Sequence, residues 1–366
     1  MPTSRPNFHL GEAGHCAACQ FEFFDKKRID WDARMAELQG LVDWAKAQNR
    51  GAYDCVVGVS GGKDSTFQAM YARDRLGLRV LLVNSEPEGI TDLGRSNIEN
   101  LVNLGFDTIK VRPNPRTMRK LVKRDFYEVL NPVRITEYSL WASAYIVANA
   151  FDVPLIIQGE NPVLTVGSDV DVGNDGNAIN ADRQQTIIRS WESYVGDGID
   201  AKDLFLFHYD RASLAKKDIR GVWLGWYLQE WSPKNNYMFS LRHGLKARPA
   251  DFDPADIGTY VPYYQLDSDL VQVNQYLKYV KLGFGQCTEH ACYDVRDGLL
   301  SRKEAAELIR RYDGKCHPRY VQKFCDYIGI DVAEFHAVVE RFRGPMWRRA
   351  ADGQWELEGP IWETVS

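Results

Sequence analysis

Two periods of apolar spacing alternate along the first half of the chain. From Trp31 to Gln48, apolar residues recur at helical spacing (Met35, Leu38, Leu41, Val42, Trp44, Ala45) and predict a helix. Asp54 to Val59 is a short continuous apolar run, the pattern of a strand buried on both faces. After Ser60–Ser65 a helical stretch carries Phe67, Met70, Tyr71 and Leu76. A second strand is predicted over Leu78–Asn84, a helix over Thr91–Leu104 and a strand over Thr108–Arg112. Helices then follow at Pro115–Leu130 and Thr136–Phe151, before a strand at Leu155–Gln158. Strands alternating with helices predict an α/β fold with a doubly wound parallel sheet.

Residues 167–198 are rich in Gly, Asp and Asn with little periodicity, which marks a long loop or insertion. The last third reads as helices. Ser301 with Glu304, and Asp331 with Glu334, form capping-box patterns before helices that Gly314 and Gly344 close. The spacing of Trp223, Trp226 and Trp231 fits either an aromatic floor for a sugar ring or a core helix.

Lys plus Arg total 45 against 50 Asp plus Glu, a net charge of −5 that disfavours a protein coating nucleic acid. Arg116, Arg119, Lys120 and Lys123 share one helical face, either a solvated one or a dock for RNA, a sugar-nucleotide diphosphate or an acidic partner. The most apolar stretch, Tyr145–Ile157, is interrupted by Asn149, Asp152 and Pro154, so no membrane span is expected. The N-terminus lacks the apolar core of a secretory signal. Seven cysteines do not form a disulfide framework, and a reduced, cytoplasmic setting is expected.

The segment that carries chemistry is Ser60-Gly61-Gly62-Lys63-Asp64-Ser65, between a buried strand and a helix. Two glycines let backbone N–H groups approach an anion, and the helix start adds its positive dipole end. Ser60 and Ser65 supply hydroxyl donors, and Asp64 would orient the loop or touch Mg²⁺ through water. The spacing is not that of a Walker loop, which needs four residues between its glycines. It matches the Ser-Gly-Gly-x-Asp-Ser signature of the PP-loop ATP pyrophosphatases, which split ATP into AMP and pyrophosphate. Ligands of open α/β sheets sit beyond the strands' carboxyl ends. Asn84 is thereby expected near adenine, and Gly159, Glu160 and Asn161 near ribose, phosphate or acceptor.

This loop resembles the N-acetyl sugar amidotransferases when taken with Leu93-Gly94-Arg95, Gly159-Glu160-Asn161, Val222-Trp223-Leu224, Lys281-Leu282-Gly283-Phe284-Gly285 and Tyr312-Asp313-Gly314. Those PP-loop enzymes serve bacterial surface-polysaccharide and pseudaminic-acid-type sugar synthesis. The resemblance implies a PP-loop (HUP-like) ATP-binding domain over 31–210, behind an N-terminal Cys-containing segment at 1–30. A mainly helical substrate or partner region would fill 211–366. It implies ATP and Mg²⁺, an acetamido sugar or nucleotide-sugar as acceptor, and an acetamidino group as product. No glutaminase nucleophile is recognisable in the sequence, so ammonia is expected from a separate glutamine amidotransferase subunit. A PP-loop tRNA-modifying ligase or thiolase and a non-catalytic nucleotide-binding subunit are the rival readings.

Lys281 is expected to stabilise phosphate charge, with Gly283 and Gly285 permitting backbone approach, or else to be a solvated cation at a helix end. Where the family loop continues with Arg, this chain has Gln286. Relatives carry two Cys-x-x-Cys pairs fit for a four-thiolate Zn²⁺ site; here Cys16 and Cys19 are the metal candidates, with His15 beside them. His290, inside a Cys-x-x-His-x-Cys run with Cys287 and Cys292, is a candidate acid–base residue. Cys287, Cys292 and Cys316 are expected to be free cysteines rather than metal ligands.

Overall fold

In the computed structural model, which describes residues 2–6, 8, 10–159, 175–183 and 190–363, Cys55–Val59 (β1) is the middle strand of a five-stranded sheet. Its neighbours are Val80–Ser85 (β2) and Leu155–Gln158 (β4), with Asp107–Val111 (β3) and Arg220–Trp223 (β5) at the edges. The order is β3-β2-β1-β4-β5. Every pairing is parallel, with Cys55 opposite both Val80 and Leu155. The direction of strand addition reverses between β1 and β4, which places a crevice at their carboxyl ends.

The continuous apolar runs sort by the strand period of two. Cys55, Val57, Val59, Val80, Leu82, Leu155 and Ile157 share one core cluster with Trp31–Gln48 (α1), Lys63–Asp74 (α2) and Asp92–Asn103 (α3). Val56, Leu81, Val83 and Ile156 face the other way, onto Ala142, Tyr145, Val147 and Ala148 of Arg134–Phe151 (α5). Both faces are covered, as an all-parallel sheet requires. Residues 175–178 shield the edge of β5, with Ala178 N–H donating to Gly221 O at 2.8 Å and Trp223 N–H to Gly176 O at 2.9 Å. Residues 167–174 and 184–189 of the Gly-rich stretch lie outside the described residues.

Between α3 and α5 lies Pro115–Val129 (α4), which turns away from the sheet. Its Met118, Leu121, Val122 and Phe126 join the core of the C-terminal region. That region begins with Pro233–Arg242 (α6), and continues through Leu270–Leu282 (α7), Gln286–Arg296 (α8), Arg302–Tyr312 (α9), Pro318–Ile328 (α10) and Val332–Arg341 (α11). Phe126 stacks on Phe335 with centroids 5.4 Å apart and meets Phe324 edge-on at 5.1 Å, so the two parts share one core. The basic face of α4 is partly engaged in this docking. Arg119 stands 5.4 Å over the Tyr327 ring and Lys123 reaches Gly329 O at 3.3 Å. A hairpin of Trp347–Arg349 (β6) and Trp355–Leu357 (β7) follows. Among the described residues no helix is long and apolar enough to cross a membrane.

Capping fixes the helix starts that the sequence marks. Ser301 and Glu304 form the reciprocal box, and Thr91 accepts from Gly94 N–H at 2.9 Å. The Thr91 hydroxyl also donates to Leu266 O, tying α3 to the C-terminal region. Thr91→Ala is therefore expected to cost about 1–2 kcal/mol, the upper range for a cap. Denaturant titration checks this, and an unchanged midpoint would refute it.

Candidate functional site

β1 delivers the chain to Ser60, and α2 opens at Lys63 with Gly62 as its extended N-cap residue. Gly61 has φ +84°, and a Cβ there would lie 2.8 Å from Gly94 O on α3. Only glycine suits that conformation and that approach. Asn97, buried on α3, donates to Gly61 O and to Lys246 O, both at 2.9 Å. The Ser65 hydroxyl accepts from Ser60 N–H at 3.3 Å and donates to Gly62 O at 3.2 Å. The first N–H to return to the loop is that of Thr66, at 3.1 Å from Gly62 O. The N–H groups of Lys63, Asp64 and Ser65 thus lack intrahelical acceptors, which is the physical basis of anion binding at a helix start.

Lys63 is buried, its ammonium 2.6 Å from Asp64 Oδ2 and 5.1 Å over the Tyr264 ring. The other Asp64 oxygen accepts from Asn236 Nδ2 at 2.8 Å, and Ser240 Oγ donates to Lys63 O at 2.7 Å. Asn236 and Ser240 lie four apart on α6, so one helix face clamps the loop from across the sequence. Sequence reasoning missed both residues. Two small polar residues at helical spacing after Ser232-Pro233 are the sole local signal.

Lys63 and Asp64 line a cleft of about 110 Å³ whose other walls include Trp231, Tyr264, Tyr293 and Arg296. Phe21 and Trp31, from the N-terminal segment and the start of α1, close one side. The three tryptophans do not form a core helix. Trp223 ends β5, a single turn covers Leu224–Tyr227, and Trp231 reaches the cleft.

Asn84, the penultimate residue of β2, lies side by side with the loop strand, donating Nδ2 to Val59 O at 2.8 Å. Its Oδ1 is buried with no hydrogen-bond partner among the described residues. At the end of β4, Gly159 accepts from Gly225 N–H at 3.0 Å, and a Cβ there would lie 2.9 Å from Gln68 Nε2. Glu160 and Asn161 lie outside the described residues.

The Lys281–Gly285 segment departs from its expected role. Lys281 is neither solvated nor on the cleft wall: its Nζ donates to Val129 O, at the end of α4, at 3.1 Å. Burial, then Arg134 and Lys278, bring its ammonium down to about 8. Gly283 is the left-handed cap of α7 at φ +72°. Gly285 approaches Asp313 rather than a phosphate, donating its N–H to Oδ2 at 2.7 Å. The same carboxylate accepts from the N–H groups of Cys287 and Thr288 and from the Thr288 hydroxyl. The α8 start is thereby occupied by an internal anion.

Zn²⁺ finds no support. Among the described residues no three His, Cys, Asp or Glu side chains converge to hold a metal. Cys16 and Cys19 instead pair with each other on a single helical turn. The hydrogen bond from Cys19 pulls the Cys16 thiol down to about 5, and the same bond pushes the Cys19 thiol up. Cys287 is buried and Cys292 and Cys316 are half-buried, each a free thiol.

The N-terminal segment is anchored by Arg5, which pairs with Glu289 of α8; Lys278 reaches the same carboxylate at 2.7 Å. Burial alone would raise the Glu289 carboxyl, but Lys278 and Arg5 outweigh it and hold it at about 2. A depressed carboxyl contributes stability above its unfolded pKa, near ~4.3, that is lost as pH falls through the folded value. Lowering the pH from about 5 to about 2 should release this anchor. Amide exchange over residues 10–20 reads it, and protection unchanged down to the acid end would count against the pairing.

Residues 257–359 match the family described as the C-terminal domain of WbpG-like LPS biosynthesis proteins. The WbpG-like region spans α7 to α11 and the hairpin, including the Asp313 latch and the residues of α8 that reach the cleft. No curated protein matches the chain. Among solved structures, an NMN synthetase from Francisella tularensis is 14% identical, covering 61% of this chain and 100% of its own, with a TM-score of 0.30. Together, the loop at the end of β1 and the WbpG-like region support the resemblance to the N-acetyl sugar amidotransferases.

Proposed function

We propose that the chain is an ATP-dependent, AMP-forming amidotransferase that converts an acetamido group on a sugar into an acetamidino group. The observation that carries this reading is a pyrophosphatase-type loop with unfilled N–H groups in the same chain as a WbpG-like region. An amide carbon is a poor electrophile and its oxygen a poor leaving group. Attack of that oxygen on the α-phosphorus expels pyrophosphate, and loss of the amide proton leaves an O-adenylyl imidate with an uncharged nitrogen. Ammonia then adds at the imidate carbon, the C–O bond breaks, and AMP departs.

The chain's part is positioning and charge stabilisation. Ser60, Gly61, Gly62 and Ser65 would cradle the pyrophosphate end, with Lys63 neutralising charge. Asn84 and Gly159 would border the adenosine. Asp64, half-buried on the cleft wall, is the carboxylate fit to hold Mg²⁺ through water, an ion that would neutralise phosphate charge. Lys281, Gly283 and Gly285 are left out because their polar groups are committed to Val129, to capping α7 and to Asp313. Ammonia would come from a separate glutaminase subunit, and the nucleotide chemistry fits a cytoplasmic setting.

The test incubates the protein with ATP, Mg²⁺, ammonium and UDP- or CMP-linked acetamido sugars, and measures AMP and pyrophosphate. Sugar-dependent AMP formation that tRNA does not stimulate is expected. AMP formation that requires tRNA and ignores every sugar would overturn the reading.

A further inference from the structure

His290 lies on α8, 6% exposed, with Nδ1 2.6 Å from Thr259 Oγ1 and its ring edge-on to Tyr264. Its Nε2 is shielded from solvent and has no hydrogen-bond partner among the described residues. A buried polar atom left in that state is costly, so a ligand or water is the usual remedy. The ring borders a separate cavity of about 20 Å³, also walled by Val261, Tyr263 and Asp294. Pro233, Tyr264, Tyr293 and Asp297 line both this cavity and the loop cleft, so the two adjoin. A polar cavity of that size holds one water-sized molecule. Ammonia has that size and, like water, both donates and accepts hydrogen bonds.

We propose that this cavity is the niche from which ammonia attacks, with His290 Nε2 accepting one of its N–H bonds and so aiming the nitrogen lone pair at the adjoining cleft. The proposal rests on the amidotransferase reading and adds to it a site for the nucleophile. It fixes the tautomer: Nδ1–H donates to Thr259 and Nε2 carries the lone pair. Burial lowers the ring's pKa to about 3, helped by Lys63, Lys278 and Arg248 against the opposing pull of Glu289, so the acceptor stays neutral. His290 is a positioning residue here, since so weak a base takes no proton from ammonium. The atoms balance without further reagents. The C–N bond forms as the C–O bond to the adenylyl group breaks, and AMP leaves with the electron pair. One ammonia proton passes to the sugar-bound nitrogen, giving an amidinium.

The experiment supplies ammonium chloride as the only nitrogen source and measures amidine formation beside acceptor-dependent exchange of pyrophosphate into ATP, which needs no ammonia. His290→Ala should raise the KM for ammonia about tenfold, the worth of one hydrogen bond, while exchange persists. Val261→Ala enlarges the niche from its apolar wall, and keeps the question open to test if the histidine variant does not fold. Wild type should prefer ammonia over methylamine by at least about tenfold, the scale of one methyl group, and Val261→Ala should narrow that preference severalfold. An unchanged ammonia KM in His290→Ala would overturn the niche, as would exchange lost together with amidine formation. An unchanged methylamine preference in Val261→Ala, or wild-type exchange with no amidine at any ammonium concentration, would do the same. Wild type that shows no acceptor-dependent exchange would remove the amidotransferase reading itself, and the niche with it.

Discussion

Asp64→Asn is expected to lower AMP formation by about 10²–10³-fold, the scale for removing one preorganised electrostatic contact in a water-poor site. The substitution isolates charge from shape. One Asp64 oxygen accepts from Asn236, and an asparagine oxygen accepts equally well, so the clamp from α6 survives. Alanine is the poorer probe. It would strand the Asn236 amide, whose Oδ1 already lacks a partner among the described residues, and would add about 1–3 kcal/mol of structural cost to any catalytic one. What asparagine removes is the anion facing Lys63 at 2.6 Å and the group fit to hold Mg²⁺. Thermal unfolding should stay within a few degrees of wild type while AMP release collapses. Wild-type turnover in Asp64→Asn would show that the reacting phosphate lies elsewhere.

The sheet was legible because its signals are local. A strand buried on both faces must be apolar throughout, and Cys55–Val59 can be little else. The strand–loop–helix geometry around Gly61 and Gly62 was legible for the same reason: strand, two glycines and helix start are contiguous. The clamp on that loop was not. Asn97, Asn236 and Ser240 are ordinary polar residues in helices, and what makes them a clamp is the fold that carries α3 and α6 to the loop. The glycines at 283 and 285 show the reverse failure. A lysine followed by two glycines before a helix reads as a phosphate cradle, yet the anion it meets is Asp313, supplied from the C-terminal end of α9. Local pattern announced that an anion belongs there; only tertiary structure says whose. The tryptophans fail for a related reason, since their spacing spans a strand end, a single turn and a loop.

Asp313 is the basis of the largest expected loss of stability. Its carboxylate is 6% exposed and accepts from Gly285 N–H at 2.7 Å, Cys287 N–H at 2.9 Å, Thr288 N–H at 3.3 Å and the Thr288 hydroxyl at 2.7 Å. Three backbone donors and a hydroxyl would lose their shared acceptor in Asp313→Ala, in a place where water does not readily replace it. Each lost charged hydrogen bond is worth about 1.5–3 kcal/mol, and because the four act as a unit a total of about 4–5 kcal/mol is expected. Asp313→Asn keeps one acceptor oxygen and should fall between. The consequence reaches the site, because the helix whose start Asp313 holds carries Tyr293 and Arg296 to the cleft walls and His290 to the adjoining cavity. Denaturant unfolding of Asp313→Ala should show the lower midpoint, and nucleotide-dependent protection of the cleft should weaken even where the protein remains folded. A variant as stable as wild type would mean that water or another residue caps α8, and the latch between the two glycine-containing motifs would have to be abandoned.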